Sequence, residues 1–248
     1  MRIGVFDSGI GGLTVLKELV RKYPKNQYFY FGDNKNMPYG SKSKKELLNL
    51  SSNIVDFLIS KNVDILVIAC GTLSSNVYEE LKNKYNLPIY DIISPTIKYI
   101  NDNYKKVGLI ATKMTVQSKV FEKKISNICS QACPLFVPII ENNNFNELNS
   151  AMDEYFMNIS KDIEALILGC THYPILTDYI KPYFPNTELI NMGKVLADNI
   201  EIKNSIDKSV RLYFSKVDHT LIENVNKILD FDYQLEEVNA WITRSRNS

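Results

Sequence analysis

Short apolar runs recur along the chain, separated by stretches whose apolar residues return every three or four positions. The runs at 3–6, 28–31, 65–69, 89–93, 107–111, 135–139, 166–169, 188–190 and 210–214 are bounded by turn residues and predict β-strands. The clearest helical stretch spans 44–59, where Leu47, Leu50, Ile54 and Leu58 line one face for packing on a sheet. Strands and helices alternating in this way predict an α/β fold of parallel sheets with right-handed crossovers. Two stretches share one plan, in which an apolar run ends in cysteine, a threonine follows and a helix begins: these are 64–72 and 164–171. The spacing of Cys70 and Cys170 fits two similar sub-domains of about 100 residues each. The first is expected at residues 1–95 plus 207–248 and the second at 96–206, with the chain crossing near Pro95 and again near Ile206.

Ligands of open parallel sheets bind beyond the carboxyl ends of the strands, so the residues standing there are the candidate chemistry. The predicted ends carry Asp7-Ser8, Gly32-Asp33, Cys70-Gly71-Thr72, Thr112, Cys170-Thr171-His172 and Asn191. These are acids, hydroxyls and thiols where a core would accept Val or Leu. A cysteine at a strand-to-helix turn lies beside unpaired backbone N–H groups, which favour its thiolate. Two thiols so placed suit a reaction in which one group takes a proton and another gives one from the opposite side. His172, one of two histidines, stands two residues from Cys170 and supplies a base. His219, after the last predicted strand, is expected on the surface.

Composition narrows the partner. With 29 Lys and Arg against 28 Asp and Glu, the net charge is +1, which lacks the basic footprint of a nucleic-acid or membrane-surface binder. The N-terminus has no signal-peptide pattern, and no apolar run approaches the ~20 residues that span a bilayer. The expectation is a cytoplasmic protein with a small-molecule partner. Cys129 and Cys133 form a C-x3-C without a second pair or a nearby histidine, which argues against zinc. They are expected to be packing residues at a helix end and loop, with no metal bound.

Two further segments bear on binding. Asp7-Ser-Gly-Ile-Gly-Gly12 places glycines where a backbone can approach a ligand, but Thr14 stands where a dinucleotide fingerprint requires glycine. Pro38-Tyr39-Gly40 fixes a loop from which Tyr39 presents its backbone and ring.

Together these segments resemble the glutamate racemases, cofactor-independent enzymes that supply D-glutamate for peptidoglycan. The matching pieces are Ile3 through Gly12, Tyr30-Phe-Gly-Asp33, Pro38-Tyr-Gly40, Ile68-Ala-Cys70 with Thr72, Gly108-Leu-Ile-Ala-Thr112 with Thr115-Val-Gln-Ser118, and Gly169-Cys-Thr-His-Tyr-Pro174, in the family's order over most of the chain. The resemblance implies that Cys70 and Cys170 act as the two bases, assisted by Asp7 and His172 respectively, without pyridoxal phosphate or another cofactor. It implies that Ser8, Tyr39, Gly40, Gly71, Thr72 and Thr171, with Asp7 and His172, hold the amino-acid substrate, and that Pro38, Thr112, Thr115 and Ser118 add to the wall. It also implies a homodimer of unspecified geometry.

The chain departs from the family pattern at three places. Gly71 follows Cys70 where the family usually has asparagine, Asn36-Met37 replaces an arginine before the Pro-Tyr-Gly loop, and Asn191-Met192 replaces an acidic-Ser pair. A racemase of another amino acid such as aspartate remains an alternative, although aspartate-type relatives carry an acid where His172 stands. A non-catalytic ligand-binding or redox homologue is a further alternative. Family members activated by a peptidoglycan precursor have an extension before the Asp-Ser-Gly segment, and with six residues ahead of Asp7 such activation is not expected here.

Overall fold

The computed structural model describes residues 1–238; the expected return of 239–248 to the first sub-domain lies outside the described residues. In chain order the elements are β1 (Arg2–Asp7), α1 (Leu13–Lys22), β2 (Gln27–Gly32), α2 (Lys44–Ser60), β3 (Ile65–Ile68), α3 (Gly71–Asn76), α4 (Tyr78–Lys84), β4 (Ile89–Asp91) and α5 (Ile93–Asn103). There follow β5 (Val107–Ala111), α6 (Lys113–Ser118), β6 (Ile128–Ala132), α7 (Phe136–Glu141), α8 (Leu148–Phe156), β7 (Ala165–Leu168), α9 (Thr177–Ile180), β8 (Glu188–Asn191), α10 (Met192–Asn199), β9 (Ser209–Phe214), α11 (His219–Ile228) and β10 (Gln234–Glu237). One sheet has the order β10-β9-β2-β1-β3-β4 and the other β6-β5-β7-β8, and every pairing in both is parallel.

Side-chain alternation explains how the first sheet is covered on both faces. Ile3, Val5, Tyr28, Tyr30, Ile65 and Val67 join a core that continues into the second sheet, whereas Phe6, Phe29, Phe31, Leu66 and Ile68 face the layer containing α2. α2 begins in a capping box, with Ser43 and Glu46 satisfying each other's backbone N–H groups. α10 lies against α1 because Gly193 has no side chain; a Cβ there would come within 2.9 Å of the Val15 Cα. This contact ties the two sheets into one body with their strand ends converging. Among the described residues, no helix is long and apolar enough to cross a membrane.

Three expectations about elements need correction. The run at 135–139 is not a strand but enters α7: Pro138 cannot donate to a ladder, yet it fits the first helical turn, whose N–H groups have no intrahelical partner. The strand in this region is β6, an edge strand of partly buried, mixed residues that carries Cys129, so the C-x3-C begins in a strand and not at a helix end. The strand expected at 89–93 stops at Asp91, whose Oδ1 accepts from the N–H groups of Ile93 and Ser94 at 2.7 and 2.8 Å and opens α5. β10 escaped notice because its Gln-Leu-Glu-Glu is an exposed edge without a buried face.

Candidate active site

Each sheet has a point where the strand order reverses, at β1 between β2 and β3 and at β5 between β6 and β7. Crevices form at such points, and the loops after β1, β3, β5 and β7 open onto one cavity of about 770 Å³. Its lining includes Ser8, Pro38, Tyr39, Gly40, Cys70, Gly71, Thr72, Thr112, Cys170, Thr171 and His172, and also Glu141. Residues from segments far apart in sequence thus meet at one place.

On the first side, Asp7 ends β1 fully buried. Its Oδ2 accepts from the Gly12 N–H at 2.6 Å and from the Thr171 hydroxyl at 3.2 Å. Among the described residues its Oδ1 has no hydrogen-bond partner, which leaves a buried acceptor beside Cys70. Cys70 stands just before α3 with its Sγ 3.8 Å from the Ser8 hydroxyl. Burial pushes its thiol well above the usual cysteine range and the Asp7 charge pushes it further, while the Leu73 N–H offsets part of this. These surroundings favour the thiol form of Cys70.

On the second side, Cys170 lies 3.7 Å from Nδ1 of His172, whose Nε2 meets Glu141 Oε1 at 2.7 Å. Burial works against charging the ring. The hydrogen bonds that the ring donates to Cys170 and Glu141, with the Glu141 charge, outweigh it, and the His172 pKa is raised well above the ordinary imidazole value. The two thiols thus have different neighbours: Cys70 sits beside the Asp7 carboxylate, and Cys170 beside a histidine that is itself paired with Glu141.

Glu141 had no sequence signal beyond being an acid after an apolar run. It ends α7, the segment misread as a strand, and its Oε1 also accepts from the Ile10 N–H at 3.3 Å. The glycines of the first turn make room for this crossing. A Cβ on Gly9 would lie 2.6 Å from Glu141 Oε1, and one on Gly11 would fall against the His172 ring and 2.5 Å from Thr171 Oγ1. The glycines after β1 therefore admit side chains of the facing loops.

The remaining candidates divide. Tyr39 is buried with its hydroxyl on Asp33 at 2.6 Å, which leaves its backbone and that of Gly40 to face the cavity. Asn36 Nδ2 also donates to both Asp33 oxygens, at 2.9 and 3.0 Å. Thr72 and Thr112 meet across the cavity floor at 3.0 Å, and Thr112 meets Thr115 at 3.0 Å behind it. Thr115 and Ser118 do not line the cavity: Thr115 is fully buried, and the Ser118 hydroxyl donates to the Thr115 carbonyl at 2.6 Å. Asn191 caps α10, accepting from Gly193 and Lys194. His219 is 86% exposed and far from this chemistry in role, pairing with Glu223. Cys133 is buried and Cys129 half-buried; all four cysteines are free.

Comparisons with known proteins identify the family and the fold. The family model described as Asp/Glu/Hydantoin racemase matches residues 3–200. The glutamate racemase of Hydrogenobaculum sp. (strain Y04AAS1) is 36% identical over 252 residues, covering 97% of this chain and 97% of that one. The crystal structure of glutamate racemase from Thermus thermophilus in complex with β-chloro-D-alanine aligns with a TM-score of 0.85 at 30% identity over 96% of each chain. That from Francisella tularensis subsp. tularensis SCHU S4 in complex with D-glutamate aligns with a TM-score of 0.85 at 31% identity, covering 96% of this chain and 97% of that one. The chain belongs to the Asp/Glu/Hydantoin racemase family, among its glutamate racemases.

Proposed function

We propose that this protein interconverts L- and D-glutamate by two-base proton transfer between Cys70 and Cys170, supplying D-glutamate for peptidoglycan. The observation that carries the reading is the pair of buried thiols on converging sheet ends over one cavity, one beside Asp7 and the other beside the His172–Glu141 pair. Glutamate lies between them with its α-carbon in line. For one enantiomer, the Cys170 thiolate takes the α-proton, the electron pair delocalises into the carboxylate, and the Cys70 thiol delivers its proton to the opposite face. For the other enantiomer the roles reverse. The Asp7 charge favours the protonated form of Cys70, and the Glu141–His172 pair stands against Cys170 with the ring's pKa raised. Backbone groups of Tyr39, Gly40 and Gly71 and the hydroxyls of Ser8, Thr72, Thr112 and Thr171 bind the substrate's carboxylates and ammonium.

The test is solvent-deuterium incorporation at the α-carbon, run with glutamate and aspartate side by side. Glutamate should gain deuterium with inversion, and Cys70→Ser or Cys170→Ser should each abolish racemisation. Turnover of aspartate alone would reassign the substrate, and exchange with neither would end the racemase reading.

A further inference from the structure

We propose that Gly71 is a positioning residue that sets the separation of the two thiols, an inference that rests on the racemase reading. Gly71 follows Cys70 and Gly169 precedes Cys170, and the two cysteine loops touch at this pair. A Cβ on Gly71 would lie 2.6 Å from the Gly169 carbonyl oxygen, about 0.8 Å inside the 3.4 Å at which ordinary contact begins. No glycine among the described residues has a positive φ, so the need for glycine here is steric and comes from the opposite loop.

Neither loop has room to retreat. Gly169 donates to the Ile110 carbonyl at 2.7 Å, and its own missing Cβ would fall 2.6 Å from Leu109 Cδ1, 2.8 Å from the Ile110 oxygen and 2.9 Å from Ala111 Cβ. On the other side Ala69 donates to the Phe6 carbonyl at 2.9 Å, and Ser74 to the Cys70 carbonyl at 2.9 Å. A side chain at 71 therefore pushes backbone against backbone, and the push reaches Cys170, the next residue after Gly169. Proton transfer wants each sulfur about 3–3.5 Å from the α-carbon, and a displacement near 1 Å costs on the order of 100-fold. Gly71 in this chain is thus a fitted contact between half-sites and not a missing amide.

The experiment compares two reactions of the same variants, Gly71→Ala and Gly71→Asn. Racemisation uses both thiols. A glutamate bearing chlorine on its β-carbon uses one: a thiolate takes the α-proton, the C–H electron pair becomes the Cα=Cβ bond, and chloride departs with the C–Cl pair. The enamine then tautomerises, and water hydrolyses it to 2-oxoglutarate and ammonia. For Gly71→Ala the ratio of racemisation to elimination should fall by about tenfold or more through kcat. Gly71→Asn should fall in the same ratio. An unchanged ratio, equal losses in both reactions, or a gain in kcat/KM for glutamate in Gly71→Asn would overturn the inference. A wild-type protein that leaves glutamate unexchanged in deuterated water would instead sink the racemase reading itself.

Discussion

Replacing Glu141 with glutamine removes one charge and keeps the side chain's shape. The Glu141 carboxylate meets His172 at 2.7 Å, with side-chain exposures of 13% and 2%. A hydrogen bond involving a charged group contributes about 1.5–3 kcal/mol. Since about 1.4 kcal/mol is a factor of ten, kcat/KM should fall roughly 10- to 100-fold. The equilibrium constant of a racemisation is unity, so the loss must be the same from L-glutamate and from D-glutamate, which checks the kinetics internally. The substitution also removes one cause of the raised His172 pKa, so the ring gives up its proton at lower pH. The limb of the pH–rate profile that reports His172 should accordingly move toward acid. Racemisation followed by circular dichroism across a pH series measures both effects. An unchanged kcat/KM with an unshifted profile would refute the relay from Glu141 through His172 to Cys170.

Gly11→Ala sets a methyl group against the His172 ring and Thr171 Oγ1; overpacking of this kind costs about 1–3 kcal/mol, so the urea midpoint should drop at constant slope and racemisation should be lost. Wild-type stability and rate would show that the loops do not meet there. Tyr39→Phe removes the 2.6 Å hydrogen bond to buried Asp33, whose pKa burial has already raised above its usual value despite that bond. Asn36 still donates to both Asp33 oxygens, so the loss is that of one hydrogen bond, about 0.5–1.5 kcal/mol, and more while the carboxyl is charged. A raised carboxyl pKa means that stability is lost as pH rises through it, and the variant raises it further, so the penalty should be greatest near neutral pH and shrink toward pH 4. Denaturant melts at the two pH values check this, and a penalty that grows toward acid would contradict the assignment.

Much of this protein follows from local pattern. Period-two and continuous apolar runs marked most strands, helical spacing marked α2, and parallel topology made the strand ends the place to look for chemistry. Cys70, Cys170, Asp7 and His172 could be named that way because each is adjacent in sequence to the strand that carries it. The sites of failure share a physical cause. Pro138 and the mixed residues of β6 exchanged the expected helix and strand because propensity in an apolar stretch yields to which backbone groups can be paired. Glu141 lies 31 residues before His172 and joins it only when α7 is folded against the loop after β7. Gly71 reads as a gap in a motif until the Gly169 carbonyl is seen against it. Which residues stand at strand ends is a local matter settled by hydrogen bonding and burial along each segment. Which of them touch, and so what charge each thiol meets, depends on two sheets converging through the α1 and α10 contact, a distance no local pattern encodes.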